Sequence, residues 1–171
     1  MVVTVARLGH RPERDKRLST HCALIARAFG ASKLVYFGEE DEKLEESVRG
    51  VVKNWGGRFS IEHGSSWKKL FSSEKKKGAK IIHLTMYGLP FKRVLPAVKG
   101  KRMLVVIGSE KVPRGVYGEA DYNCAITGQP HSEAGALAVF LSGLGLRPRF
   151  SGARLSLKPS ARDKEFTAKY K

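Results

Sequence analysis

The feature that most narrows the fold is the alternation of short apolar runs with helix-length segments along the whole chain. Runs at residues 2–8 (VVTVARL), 33–37 (KLVYF), 59–61, 80–84 (KIIHL), 103–107 (MLVVI) and 121–126 (DYNCAI) have the length and composition of strands. The segments between them read as helices. Residues 20–29 form the first, with Ser19 or Thr20 placed to cap it and Gly30 placed to stop it. Residues 41–55 put Leu44, Val48, Val51, Val52 and Trp55 on one face, and Gly56-Gly57 ends that helix. Ser65-Ser66 precede a helix holding Trp67, Leu70 and Phe71, which runs into Glu74-Lys75-Lys76-Lys77, read as exposed. Residues 85–90 (TMYGLP) read as a loop, and Pro96 keeps a helix at 91–98 short. Residues 109–120 read as loop with at most a short helix, and a long apolar helix starts at Ser132. Such alternation predicts an α/β fold, a mainly parallel sheet with helices on both faces. After Arg147 the pattern changes to RFSGARLSLKPS, which alternates as a β-hairpin does, followed by a frayed basic end. The chain therefore divides at residues 1–146 and 147–171.

Charge says what such a domain is built to meet. The chain holds 32 Lys and Arg against 16 Asp and Glu, a formal net charge of +16. That balance suits a polyanion, nucleic acid before an anionic membrane surface. A membrane role is disfavoured, because no basic amphipathic helix has a clean apolar face and no apolar run reaches the roughly 18 residues of a membrane span. The N-terminus enters a strand pattern directly, with no signal-peptide pattern, so a cytoplasmic protein is expected. Yet no Lys or Arg falls between Gly115 and Leu146, where about six would be expected from chance placement. A segment stripped of cations in so basic a chain should be core, a subunit contact or a small-ligand site.

In open α/β sheets ligands bind beyond the carboxyl ends of the strands. Three strand exits carry suitable chemistry: residues 84–88 (LTMYG), 108–113 (GSEKVP) and 126–133 (ITGQPHSE). Each offers Gly for close backbone approach and free peptide groups for a small polar ligand. The dinucleotide fingerprint and the phosphate-cradling Gly-rich loop are both absent. Cys22 and Cys124 form neither a metal pattern nor a disulfide framework, His63 and His83 have no partners at ligand spacing, and no metal site is expected. Arg7, Arg11, Arg14, Lys16 and Arg17 crowd the loop after the first strand, suited to RNA phosphate. His10 and His21 flank it, as RNA contacts or as capping and core residues. His131 reads either as a capping or packing residue or as a proton acceptor or ligand contact, and Glu110 either as a partner for Arg114 or as a site acid. Tyr117 and Tyr122 read as packing aromatics.

Together, LVVIGSEKVPRGVYGEADYNCAI and TGQPHSEAGALAVFL resemble the second and third motifs of the SPOUT class of RNA methyltransferases. RLGHRPERDKRLSTH followed by ARAFGA resembles that class's first motif. The combination of RLGHRPxRDxR, HLTMYG, GxEKVP and QPHSE is most similar to the archaeal tRNA ribose methyltransferases that act on the T-loop cytidine at position 56. The resemblance covers residues 2–146, and the Arg-rich hairpin resembles that family's C-terminal extension.

What the resemblance implies is a C-terminal trefoil knot, S-adenosylmethionine as cofactor, tRNA as substrate and a homodimer joined through the cation-free helix at residues 132–144. By motif position the cofactor would be held by Leu84, by Ser109, Glu110, Lys111, Val112 and Pro113, and by Thr127, Gly128, Gln129, Pro130, His131, Ser132, Glu133 and Ala134. RNA would be gripped by Arg7, His10, Arg11, Lys16, Arg147, Arg149 and Arg154. Many ribose methyltransferases of the class carry a catalytic Arg six residues before the Gly that closes the first helix, and here that position is Leu24. The role falls to the preceding loop, to Arg17 first and Arg14 second. The rival readings are a SPOUT enzyme acting on another ribose or a base nitrogen, and a non-catalytic RNA-binding domain of the same fold.

Overall fold

The computed structural model describes every residue except 16, 109–111 and 169–171. Its first half runs β1 (Val3–His10), α1 (Leu18–Ala28), β2 (Lys33–Gly38), α2 (Glu42–Trp55), β3 (Ser60–His63) and α3 (Trp67–Lys76). The second half follows as β4 (Lys80–Pro90), α4 (Phe91–Val98), β5 (Met103–Gly108), α5 (Arg114–Glu119), β6 (Tyr122–Ala125), α6 (Glu133–Leu144), β7 (Leu155–Lys158) and β8 (Glu165–Ala168). Strands β1 to β6 form one sheet in the order β3-β2-β1-β5-β4-β6, and every pairing in it is parallel. β1 and β5 lie at its centre, where VTVAR and MLVVI are buried on both faces, as parallel strands covered by helices must be. Helices α1, α2, α4 and α6 pack on one face around Ala23, Leu44, Val94 and Phe140. α3 and α5 cover the other through Phe71 and Val116.

Four local expectations need correction. α1 begins at Leu18, so Ser19 lies inside the helix and caps nothing; its buried hydroxyl bonds His10 Nδ1 at 2.6 Å instead. Residues 85–90 are not simply a loop. β4 pairs with β6 through Leu84, then again through Leu89 and Pro90, and both Leu84 and Leu89 face Cys124. Thr85 to Gly88 are thereby thrown out of the ladder as a wide bulge. Gly88 permits the return, because a Cβ there would collide with the backbone of Asn123 and Cys124. Glu74, read as exposed, is buried, and accepts from Lys77 Nζ at 2.8 Å and Arg102 Nε at 3.2 Å.

The fourth correction concerns the C-terminus. The hairpin exists, but its strands are β7 and β8, paired antiparallel, so the basic end expected to fray supplies the second strand. The preceding segment, where the first strand was expected, is a strap across α1 and α2. Gly57 N–H donates to Ser151 O and Arg154 N–H to Asn54 O, both at 2.9 Å. The Arg27 guanidinium lies 4.7 Å from the centre of the Phe150 ring.

Candidate active site

In the sheet order, β1 leads to β2 and β3 on one side and neighbours β5 on the other, so the carboxyl ends of β1 and β5 flank a crevice. A cavity of about 480 Å³ opens there. Its walls come from four strand exits: Arg14, Asp15 and Leu18 after β1, His83 to Tyr87 from the β4 bulge, Gly108 and Val112 after β5, and Pro130 to Glu133 before α6. Ser132 caps α6 by accepting from Ala134 N–H at 3.2 Å, which fixes how that last loop enters the helix.

Under the cavity sits a buried ion cluster. Arg7, wholly buried on β1, donates from Nη2 to Glu133 Oε1 at 2.8 Å and lies 3.3 Å from Asp15 Oδ2. Asp15 also accepts from Arg11 N–H at 3.2 Å, which closes the turn after β1. One arginine thus ties the loop bearing Arg14 to the loop bearing Pro130 and His131. Burial pushes the Glu133 carboxyl above its ordinary value, against the pull of Arg7. Its Oε2 has no hydrogen-bond partner among the described residues.

Two histidines are fixed by their neighbours. His10 is buried, with Nδ1 facing Ser19 Oγ and Nε2 3.1 Å from Asp41 Oδ2. A carboxylate only accepts, so Nε2 carries the proton and Nδ1 accepts from the serine. Burial lowers the His10 pKa, partly offset by Asp41. On the cavity wall, Asn123 donates from Nδ2 to Tyr117 O, which leaves its Oδ1 to accept from His83 Nδ1 at 2.9 Å. His83 is then neutral with Nε2 as the acceptor, and burial lowers its pKa.

Of the residues singled out from sequence, Leu84, Val112, Pro130, His131, Ser132, Glu133 and Arg14 line the cavity. Pro113, Thr127, Gly128, Gln129 and Ala134 flank it without lining it, and Ser109, Glu110, Lys111 and Lys16 lie outside the described residues. Arg17 is exposed just before α1 and is not on the cavity wall. Arg7 and His10 cannot serve as RNA contacts where they stand: each is buried and held by internal partners. Arg11, Arg147, Arg149 and Arg154 are on or near the surface. His131 is exposed, its Nδ1 3.2 Å from Ser132 O, and does no packing. Asp15, His83 and Tyr117 were missed as site residues. For Asp15 the RDxR spacing was a usable signal; for the other two, only the fold brings 83, 117 and 123 together. No group of three or more His, Cys, Asp or Glu among the described residues is arranged to hold a metal.

Comparison with known proteins agrees with this geometry. The profile of a family described as tRNA ribose 2'-O-methyltransferase, aTrm56, matches residues 55–167. A tRNA (cytidine(56)-2'-O)-methyltransferase of Thermococcus kodakarensis is 53% identical over 173 residues, covering 96% of each chain. One of the same description from Methanothermobacter thermautotrophicus is 50% identical over 170 residues, covering 96% of this chain and 95% of that one. Among solved structures, a TrmH/SpoU tRNA modifying enzyme from A. aeolicus superposes with a TM-score of 0.63 at 17% identity, covering 84% of this chain and 73% of that one, a likeness of fold.

Proposed function

Because the chain belongs to the Trm56 family of tRNA ribose 2'-O-methyltransferases, we propose that its crevice methylates the 2'-hydroxyl of cytidine 56 in tRNA. The observation that carries this reading is the single cavity wall shared by Arg14 and the QPHSE loop. It sets an RNA-facing cation beside a small-molecule loop. S-adenosylmethionine is the methyl donor, and the cavity suits it. The volume falls within the range of about 300–1,000 Å³ usual for small-ligand sites. Leu18, Leu84, Ile107, Val112 and Ala136 offer apolar surface for a purine, and the orphaned Glu133 Oε2 offers an acceptor nearby. When bound, this cofactor supplies an electrophilic methyl group on a sulfonium.

The chain's own part is to orient and to manage charge. The crevice would have to hold the ribose 2'-hydroxyl in one orientation toward that group, and strict orientation alone can supply on the order of several kcal/mol. On methylation the 2'-hydroxyl would have to give up its proton. Arg14, as a guanidinium, is no general base. It holds the adjoining phosphate and stabilises the developing alkoxide, while phosphate or water takes the proton. We place this role at Arg14 rather than Arg17, because Arg14 stands on the cavity wall. Arg11, Arg147, Arg149 and Arg154 grip the tRNA backbone. A homodimer through α6 is supported by its outer strip, Gly135, Val139 and Ser142, which is exposed and uncharged. The trefoil knot belongs to the same reading.

The test is methyl transfer from labelled cofactor to a tRNA transcript, with the modified nucleoside mapped. Label should appear as 2'-O-methylcytidine at position 56 and vanish when that residue is 2'-deoxycytidine. Label at another position supports a different SPOUT enzyme, and no cofactor binding by calorimetry supports a non-catalytic domain. Arg14→Ala should cut turnover by roughly 100-fold while leaving cofactor affinity within a few-fold, in keeping with the loss of one charge-stabilising group. Arg17→Ala should do far less, and the reverse order would return the role to Arg17.

A further inference from the structure

Among the described residues two arginines are buried, and their surroundings differ. Arg7 faces two carboxylates. Arg27, on α1 and only 8% exposed, has no carboxylate partner among the described residues. Its Nη2 donates to Gly56 O at 2.6 Å, its Nε has no partner among the described residues, and its guanidinium carbon lies over the Phe150 ring. A cation removed from water without an anion is costly, and a guanidinium so placed is stabilised when an anion arrives from outside.

The surroundings fit such an anion. Arg27 lines a second cavity of about 510 Å³ together with Arg58, Arg149, Ser32, Phe59 and Phe150. No Asp or Glu is among the residues of its wall. Arg58 and Arg149 are exposed and, like Arg27, have no carboxylate partner among the described residues. Three arginines thus line one hollow, and the fork of a guanidinium matches two phosphate oxygens. Phe150 adds a ring that is 41% exposed, an apolar surface suited to a nucleotide rather than a bare ion.

This hollow is remote from the crevice. It opens where β2 and β3 begin, at Gly30 to Ser32 and Gly57 to Phe59, whereas the crevice lies where β1, β4 and β5 end. The eight residues of β1 span about 25 Å at roughly 3.3 Å each, so a small cofactor cannot fill both sites but a folded RNA can reach both. We propose that the hollow walled by Arg27, Arg58 and Arg149 is a second RNA contact, which holds a backbone phosphate of the tRNA away from the methylated nucleotide. This rests on the reading of the chain as a tRNA methyltransferase. It also accounts for the strap at residues 147–154, which closes the hollow and brings Arg149 to it.

The experiment measures equilibrium binding of a tRNA transcript to the full chain across a salt series. An Arg58→Gln, Arg149→Gln double variant should bind tRNA at least tenfold more weakly near 0.1 M salt. Its log-affinity slope against log salt should be shallower by about 0.9, the share of one lost phosphate contact. Cofactor affinity by calorimetry, read on the same preparation, reports that the fold is intact. A control, Lys69→Gln with Lys76→Gln on α3, removes two charges from the opposite face of the sheet and should stay close to wild type. Wild-type slope and affinity in the Arg variant, or an equal loss in the control, overturns the proposal. If wild type methylates cytidine 56 while the Arg variant binds unchanged, only this proposal falls; if wild type neither binds nor methylates tRNA, both fall.

Discussion

Arg7→Met should be among the most damaging single changes in the chain. The methionine fills most of the volume but leaves two carboxylates facing an apolar side chain. Asp15 keeps its bond from Arg11 N–H, whereas Glu133 loses the 2.8 Å donor that satisfies Oε1 while Oε2 already has none. Breaking a buried pair from one side costs about 3–5 kcal/mol. The N-terminus of α6, where Glu133 sits, returns up to about 1 kcal/mol through the helix dipole. At about 2–4 °C per kcal/mol for a chain of this size, the melting temperature should fall by roughly 10 °C at pH 7. The pH dependence carries a sign. Burial already raises the Glu133 pKa with Arg7 present, and removing Arg7 raises it further. A carboxyl raised in the folded state stabilises at acid pH and loses that contribution as pH rises through its folded value. The deficit relative to wild type should therefore narrow as pH is lowered toward 5, and adding Glu133→Gln should recover part of it at pH 7. Thermal melts of wild type, the single variant and the double variant at several pH values are sufficient. A melting temperature within 2 °C of wild type at pH 7, or a deficit that widens on acidification, would refute the account of a paired, buried cluster.

Two other changes test other parts of the fold. Glu74 is buried, which alone would raise its pKa, but bonds from Lys77 and Arg102 outweigh burial and hold it below the usual carboxylate range. Its contribution is present above the unfolded-state value and lost as pH falls through the folded one. Glu74→Gln should thus cost about 1.5–3 kcal/mol near neutrality, and the gap should close as the pH falls below the ordinary carboxylate range, as acid-melt curves would show. Gly88→Ala should drive a methyl into the Asn123–Cys124 backbone, lower the melting temperature by several degrees and weaken cofactor binding, since the bulge it closes lines the crevice. Gly118→Ala, with nothing within 4 Å, is the matched control and should be close to neutral.

Sequence reading succeeded where one residue's chemistry decides the outcome locally. The runs VTVAR and MLVVI are central strands, Gly30 and Gly56 stop α1 and α2 in positive-φ conformations, and the apolar helix α6 starts where expected, at Ser132 to Glu133. It failed where two distant segments decide together. Nothing near Thr85 marks it as one end of a bulge, because the ladder resumes only through Cys124, some forty residues on. Arg7 and His10 looked like RNA contacts because they sit among exposed cations. Strand alternation could not reveal that β1 carries them inward to Glu133 and Ser19. Arg27 gave no signal at all, since its hollow is made by the strap that returns from residue 147.

Burial accounts for only part of the cation-free segment from Gly115 to Leu146. β6 and the inner side of α6 place Cys124, Leu137, Phe140, Leu141 and Leu144 in the core, where Lys or Arg would be stranded. The outer side of α6 is different: Val139 is 46% exposed, and Gly135 and Ser142 are exposed beside it. Solvent would tolerate Lys at all three positions. A monomer has no reason to avoid it there, and the remainder of the surface takes Lys and Arg freely. Two copies of a chain with formal charge +16 repel each other wherever their basic surfaces meet. They can associate only across a patch from which cations have been removed. The outer strip of α6 meets that condition, which supports the proposed subunit contact there. Introducing Val139→Lys should then shift the chain toward monomer in sedimentation without lowering its melting temperature at high dilution, and an unchanged dimer would place the contact elsewhere.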